Sequence, residues 1–106
     1  MHEDIFINVG RKHLTRINSS DILLIEADGN YSKIITKTSS YLVKDTLSQI
    51  EAELPKEIFC RVHRTYIIPI SGINDIEGNF IIMDNKKIEL ARQYRENLLS
   101  RLKIFR

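Results

Sequence analysis

The dipeptide Asp28-Gly29 constrains this chain more than any other pair of residues. It separates the apolar run Ile22 to Ala27 from the run that resumes over Asn30 to Thr36. Glycine tolerates the positive φ that a type I′ turn demands, so Asp-Gly between two apolar runs predicts a tight β-hairpin. ILLIEA is almost wholly apolar, and its length favours a strand covered on both faces over a short buried helix. Thr38-Ser39-Ser40 turns the chain again, and Tyr41 to Lys44 forms a third strand. The expected centre is an antiparallel meander with no crossover helix.

The flanking segments extend that pattern. Ile5 to Val9 and Leu14 to Ile17 read as two short strands, with Gly10 supplying the turn between them. Asn18 to Asp21 is a polar break with room for one helical turn. Asp45 or Thr46 caps a first helix, and Thr46 with Gln49 fits a capping box. Leu47, Ile50 and Leu54 make its apolar stripe, and Pro55 ends it. Ile70 to Glu77 reads as a strand loosened by Ser71-Gly72. A turn at Gly78-Asn79 follows, then a hairpin of Phe80 to Met83 with Lys87 to Leu90 around Asp84-Asn85-Lys86. Ala91 to Ile104 reads as a closing helix with Ala91, Tyr94, Leu98 and Leu102 on one stripe. The fold class is therefore mainly β, with one short middle helix and a C-terminal helix.

A chain of 106 residues fits one domain, 1–106, and its 42% hydrophobic content argues against disorder. The single Cys60 cannot form an internal disulfide, which suits a reducing compartment. No apolar run approaches the roughly 18 residues that a membrane span needs. The acidic start MHEDIFINVG lacks signal-peptide order, so a cytoplasmic protein without a membrane segment is expected. Catalysis and cofactors are not expected. The histidines His2, His13 and His63 have no metal-ligand spacing, and the four glycines are isolated and form no phosphate loop. Cys60 lies three residues from His63, but a thiol inside an apolar run is a packing residue first.

Charge is where the sequence points outward. Residues 1–60 carry seven Lys/Arg against nine Asp/Glu, and residues 61–106 carry nine against five. The basic excess begins in Phe59 to Pro69, FCRVHRTYIIP. Its apolar residues can bury the segment, so Arg61, His63 and Arg64 are expected to emerge together at a fixed place on the surface. A rigidly held arginine presents two parallel donors to a phosphate or a guanine edge. Two further groups sit where elements end: Tyr31, Ser32 and Lys33 after the Asp28-Gly29 turn, and Arg92, Gln93 and Arg95 at the start of the last helix. Cations in a first turn oppose the helix dipole, which hints that an anion belongs there.

These residues carry a resemblance. IEADGNYSKI, a short strand and helix, FCRVHRTYIIP, an apolar hairpin and LARQY opening a helix together resemble the LytTR DNA-binding domain, the output domain of many bacterial response regulators. The resemblance spans about Ile5 to Leu102. Its most specific part is Phe59-x-Arg61-Val62-His63-Arg64-Thr65-Tyr66, where the family shows Phe-x-Arg-x-His-Arg-Ser-Tyr. It implies an elongated β-sandwich of small antiparallel sheets whose loops enter successive major grooves of double-stranded DNA. By position it implies Arg64 and Arg92 as base readers. Ser32, Lys33, Thr65, Gln93 and Arg95 would fix register on the phosphates, with Tyr31 in the first loop and His63 holding the second loop together. The chain departs from the family at Pro69, often Asn, and at Glu89-Leu90-Ala91, where a Pro and a Ser are common.

The resemblance further implies a dimer on repeated DNA half-sites, driven by an upstream receiver domain if the full protein has one; that domain is not in this chain, which is then either a fragment of a longer regulator or a protein that works alone. The function expected is sequence-specific duplex DNA binding by a bacterial transcriptional regulator. The alternative is a protein-interaction or ligand-sensing β domain of the same fold. Salt separates the two, because binding through several phosphates weakens steeply with ionic strength.

Overall fold

In the computed structural model, which describes residues 3–84 and 86–106, ten strands and two helices stack into an elongated body of 51 × 29 × 25 Å. The centre is a five-stranded antiparallel sheet of β3 (Ile22–Asp28), β4 (Tyr31–Thr36), β5 (Ser40–Val43), β6 (Phe59–His63) and β7 (Tyr66–Pro69). Its strand order is β5-β4-β3-β7-β6. A two-stranded hairpin, β1 (Asp4–Gly10) with β2 (His13–Asn18), covers one side together with α1 (Leu47–Glu53). On the other side lies a three-stranded sheet of β8 (Asp75–Glu77), β9 (Phe80–Met83) and β10 (Lys86–Glu89), with α2 (Arg92–Ser100). The chain is thus mainly β, built of small antiparallel sheets.

Strand alternation divides the apolar residues between two cores. Ile25 and Ile67 face Ile7, Ile17 and Leu47 on the β1–β2 side. Their neighbours Leu24 and Ile68 face Ile81, Ile88, Leu90 and Leu98 on the other. The run ILLIEA is apolar but for Glu26, and at Leu24 and Ile25 opposite faces of β3 are covered. Each fully buried Ile or Leu contributes about 1.5–3 kcal/mol. A bulge between Ile22 and Leu24 returns Ile22 to the same core as Ile25 and leaves Leu23 exposed.

The local signals hold, with shifts that have physical causes. In the β3–β4 hairpin Asp28 pairs with Tyr31, so the two loop residues are Gly29 and Asn30. Gly29 has φ +61° and Asn30 has no positive φ, so the type I′ turn, which needs two, does not form. In the first hairpin the left-handed residue is Lys12, at φ +51°, and not Gly10. Gly10 pairs with His13 next to an irregularity at Asn8/Gly10 that moves the turn one step along the chain. Both halves of the capping box form: Gln49 N donates to Thr46 Oγ1 at 3.1 Å, and Thr46 N donates to Gln49 Oε1 at 2.8 Å.

Two expected elements are shorter than their patterns. The strand expected over Ile70 to Glu77 is a 3₁₀ turn, Ile70–Gly72, followed by β8 alone. Ile70 and Ile73 turn into the second core instead of continuing a ladder. The last helix ends at Ser100, where Arg101 caps it and donates to the carbonyls of Lys56 (2.7 Å) and Phe59 (2.6 Å). In the β9–β10 turn, Asn85 lies outside the described residues.

Candidate nucleic-acid interface

The strand pairing brings three separate stretches of sequence to one end of the central sheet. β3 and β7 run antiparallel, with Ile25 opposite Ile67 and Glu26 opposite Tyr66. The β3–β4 turn therefore lies beside the β6–β7 turn, and Ala27 N donates to Thr65 O at 3.0 Å to join them. The start of α2 is tied next in line, since Ala91 N donates to Val62 O at 2.9 Å. Glu89 Oε1 stands 3.6 Å from His63 Nε2 across the same seam. The order along this edge is β3–β4 turn, β6–β7 turn, α2 start.

Arg64 is at the tip of the β6–β7 turn. It is exposed, and its side chain makes no hydrogen bond or ion pair among the described residues. Arg92, the first residue of α2, and Gln93 beside it are likewise exposed. Ala91 caps the helix without a side-chain bond; Tyr94 N donates to Ala91 O at 3.0 Å, and the N–H groups of Arg92 and Gln93 receive no side-chain cap. Tyr31, 45% exposed, stands at the base of the β3–β4 turn. Lys33 is half-buried on β4, opposite Glu26 on β3 and Leu42 on β5. Thr65 is half-buried, its hydroxyl 2.9 Å from His63 Nδ1. Its N–H donates to that same nitrogen at 3.1 Å, which makes Nδ1 an acceptor and leaves the proton of a neutral ring on Nε2.

Two of the expected contact residues are engaged elsewhere. Ser32 is only 1% exposed, and its hydroxyl donates to Asp45 O at 2.7 Å. The expectation of a phosphate contact from Ser32 is corrected here. Alternation along β4 turns Ser32 inward between Tyr31 and Lys33, and it ties the strand to the entry of α1. Arg95 Nη1 donates to Gly78 O at 2.6 Å, so this cation latches α2 onto the β8–β9 turn.

Arg61 is the larger correction. It does not emerge with Arg64 but is 7% exposed. Its Nε donates to His63 O at 2.9 Å, its Nη2 to Arg64 O at 2.6 Å and its Nη1 to Glu51 Oε1 at 2.9 Å. Its guanidinium carbon is 5.8 Å from the centre of the Tyr94 ring. The spacing Phe59-x-Arg61 carried the signal, because period-two alternation sets Arg61 on the face of buried Phe59.

Cys60 is buried in the second core, with Asn97 Nδ2 3.9 Å from its sulfur. Burial pushes its thiol up, outweighing the nearby Arg101 charge that lowers it, so the unreactive neutral form is favoured. No cluster of three or more His, Cys, Asp or Glu that could hold a metal occurs among the described residues. No described helix is long and apolar enough to cross a membrane.

The fold and this edge define a class: a β scaffold that aims exposed cations and hydrogen-bonding groups outward from strand and helix ends. The LytTr DNA-binding domain family model matches residues 12–103, and the chain belongs to that family. It is 32% identical over 94 residues to the sensory transduction protein LytT of Bacillus subtilis, across 83% of this chain and 39% of that one. It is 35% identical over 54 residues to the heme-containing CO-sensing transcriptional regulator RcoM 2 of Paraburkholderia xenovorans, across 51% of this chain and 20% of that one. The chain thus spans about two-fifths of the length of the LytT relative. A solved LytTr DNA-binding domain of a methyl-accepting/DNA response regulator from Bacillus cereus superposes with a TM-score of 0.78 at 20% identity, covering 95% of this chain and 97% of that one. At that identity the likeness shows the fold.

Proposed function

We propose that this chain is the sequence-specific, double-stranded DNA-binding domain of a bacterial transcriptional regulator acting in the cytoplasm, and that it carries out no catalysis. The observation that supports this reading best is the alignment of the two hairpin turns and the α2 start along one edge, with the Arg64 and Arg92 side chains unpaired there among the described residues. A guanidinium free of protein partners is available to fork onto guanine O6 and N7 in a major groove. Lys33, Gln93 and the Tyr31 hydroxyl serve as phosphate contacts that set register, while the Thr65 hydroxyl is held by His63 Nδ1. One small module buries limited DNA surface, so two copies on repeated half-sites form the working complex. Where a receiver domain shares the polypeptide, it drives that pairing.

The test is selection of bound sequences from a randomised duplex pool at near-physiological salt, with the free domain and with a forced dimer. Recovery of a short motif, repeated at whole helical turns, is expected. A folded domain that recovers no motif in either form would overturn the reading. Affinity for the recovered duplex should fall steeply as salt is raised.

A further inference from the structure

We infer that Arg61, which stands behind the proposed DNA face, is a positioning residue that sets the aim of Arg64. The inference rests on the DNA-binding reading above for its consequence, and on the geometry of the β6–β7 turn for its cause.

The turn that carries Arg64 is very short, since His63 and Tyr66 already pair across it. The ladder is irregular between Arg61 and His63, so regular pairing does not fix the tip. Arg61 supplies the missing constraint. One planar group grips the carbonyls of His63 and Arg64, the two residues that lead into the tip, at 2.9 and 2.6 Å. A guanidinium holds its N–H directions rigidly, so two carbonyls bound to one fork are fixed relative to each other. Glu51 fixes the fork in turn from α1 at 2.9 Å. The arginine side chain is 8% exposed, so water cannot readily substitute for these bonds. Beyond the tip, Ala27 holds Thr65 O and His63 Nδ1 holds Thr65 N–H. The backbone on both sides of the Arg64 side chain is therefore bound, while the side chain itself has no partner among the described residues. That combination is what base readout requires: a fixed origin and a free fork.

Lysine at position 61 keeps the charge but not the fork, and cannot span both carbonyls and Glu51. The test compares Arg61→Lys in the wild-type and Arg64→Ala backgrounds, each shown to be folded by its thermal transition. Affinities are measured for the duplex recovered by selection and for an unrelated duplex. Arg61→Lys should weaken binding to the recovered duplex by roughly tenfold, the scale of one bidentate base contact. It should change binding to the unrelated duplex by less than about twofold, and cost less than about twofold once Arg64 is already alanine, because the effect passes through Arg64. Equal losses on both duplexes, or the same loss with and without Arg64, would make Arg61 a merely structural residue and overturn the inference. If Arg61→Lys does not fold, Glu51→Gln, which leaves the two carbonyl bonds but exchanges the ion pair on the far side of the fork for a weaker neutral hydrogen bond, should show the same dependence on Arg64 with a smaller loss. Amide exchange in the DNA-free protein gives an arm independent of the DNA reading. The Arg61→Lys or Glu51→Gln variant should accelerate exchange at Thr65 far more than at Ile67. Equal acceleration at the two sites would sink the positioning role even if no duplex had been recovered. Failure to recover a duplex, with selective acceleration at Thr65, would instead count against the function alone.

Discussion

The β1–β2 and β6–β7 hairpins both end in short turns that carry positive charge, Arg11-Lys12 in one and Arg64-Thr65 in the other. They differ in how the charge is held. β1–β2 is peripheral: Phe6 (61%) and Leu14 (62%) are exposed, and among the described residues the side-chain bond near its turn runs only from Gly10 N to Asn8 Oδ1. β6–β7 has both faces covered, and its turn is gripped by Arg61, by His63 and by the backbone of Ala27. Two hairpins with similar turn charge therefore have different capacities. A cation on a loosely tied turn offers attraction without direction, and a cation on a clamped turn offers a direction as well.

The two hairpins differ most at Arg61. Arg61→Ala leaves two carbonyls and Glu51 without their donor and should destabilise the fold by about 3 kcal/mol, read by denaturant unfolding. Arg11→Ala, on the loose turn, should stay within about 0.5 kcal/mol of wild type in the same measurement. Equal costs would mean that the clamp does not distinguish the hairpins.

Next in size is Arg64→Ala, which should cost about 1–3 kcal/mol on the recovered duplex and relax specificity at one position. Lys12→Ala should leave specificity intact. A uniform loss across sequences from Arg64→Ala would reassign Arg64 to a phosphate. Lys33→Ala should lower affinity about equally for all sequences and reduce the salt slope by about one unit. An unchanged slope would remove Lys33 from the interface. The smallest effect is expected from Lys12→Gly. This change relieves the left-handed φ of +51° and should raise stability by at most about 1 kcal/mol without altering DNA discrimination. Altered discrimination would show that the loose turn also takes part in readout.

The pH dependence of stability carries a sign of its own. Burial raises the Cys60 thiol above its ordinary value of 9.0, so above that pH the unfolded chain releases a proton that the folded chain retains. Stability should therefore be flat in this respect below about pH 9 and decline above it. Cys60→Ser should remove that part of the slope in an alkaline unfolding series.

Much of this protein was decided locally and was legible in the sequence. The Asp28-Gly29 hairpin and the Thr46/Gln49 capping box depend on backbone chemistry within a few residues, and the family motif is itself a run of adjacent residues. What the sequence left open depends on partners distant in the chain. Ser32 faces inward because Asp45 and α1 lie beneath it, and Arg61 is a buried clamp because Glu51 arrives from α1 and Tyr94 from α2. Arg95 serves the scaffold because the β8–β9 turn presents Gly78 O to it. The two hairpin turns meet on one edge through the β3–β7 pairing, which joins residues about forty positions apart, and the α2 start joins them through the bond from Ala91 N to Val62 O. Composition and spacing say which residues carry charge. Only the tertiary structure decides which of those charges are already satisfied by the protein, and a satisfied charge holds the scaffold while an unsatisfied one is free to bind.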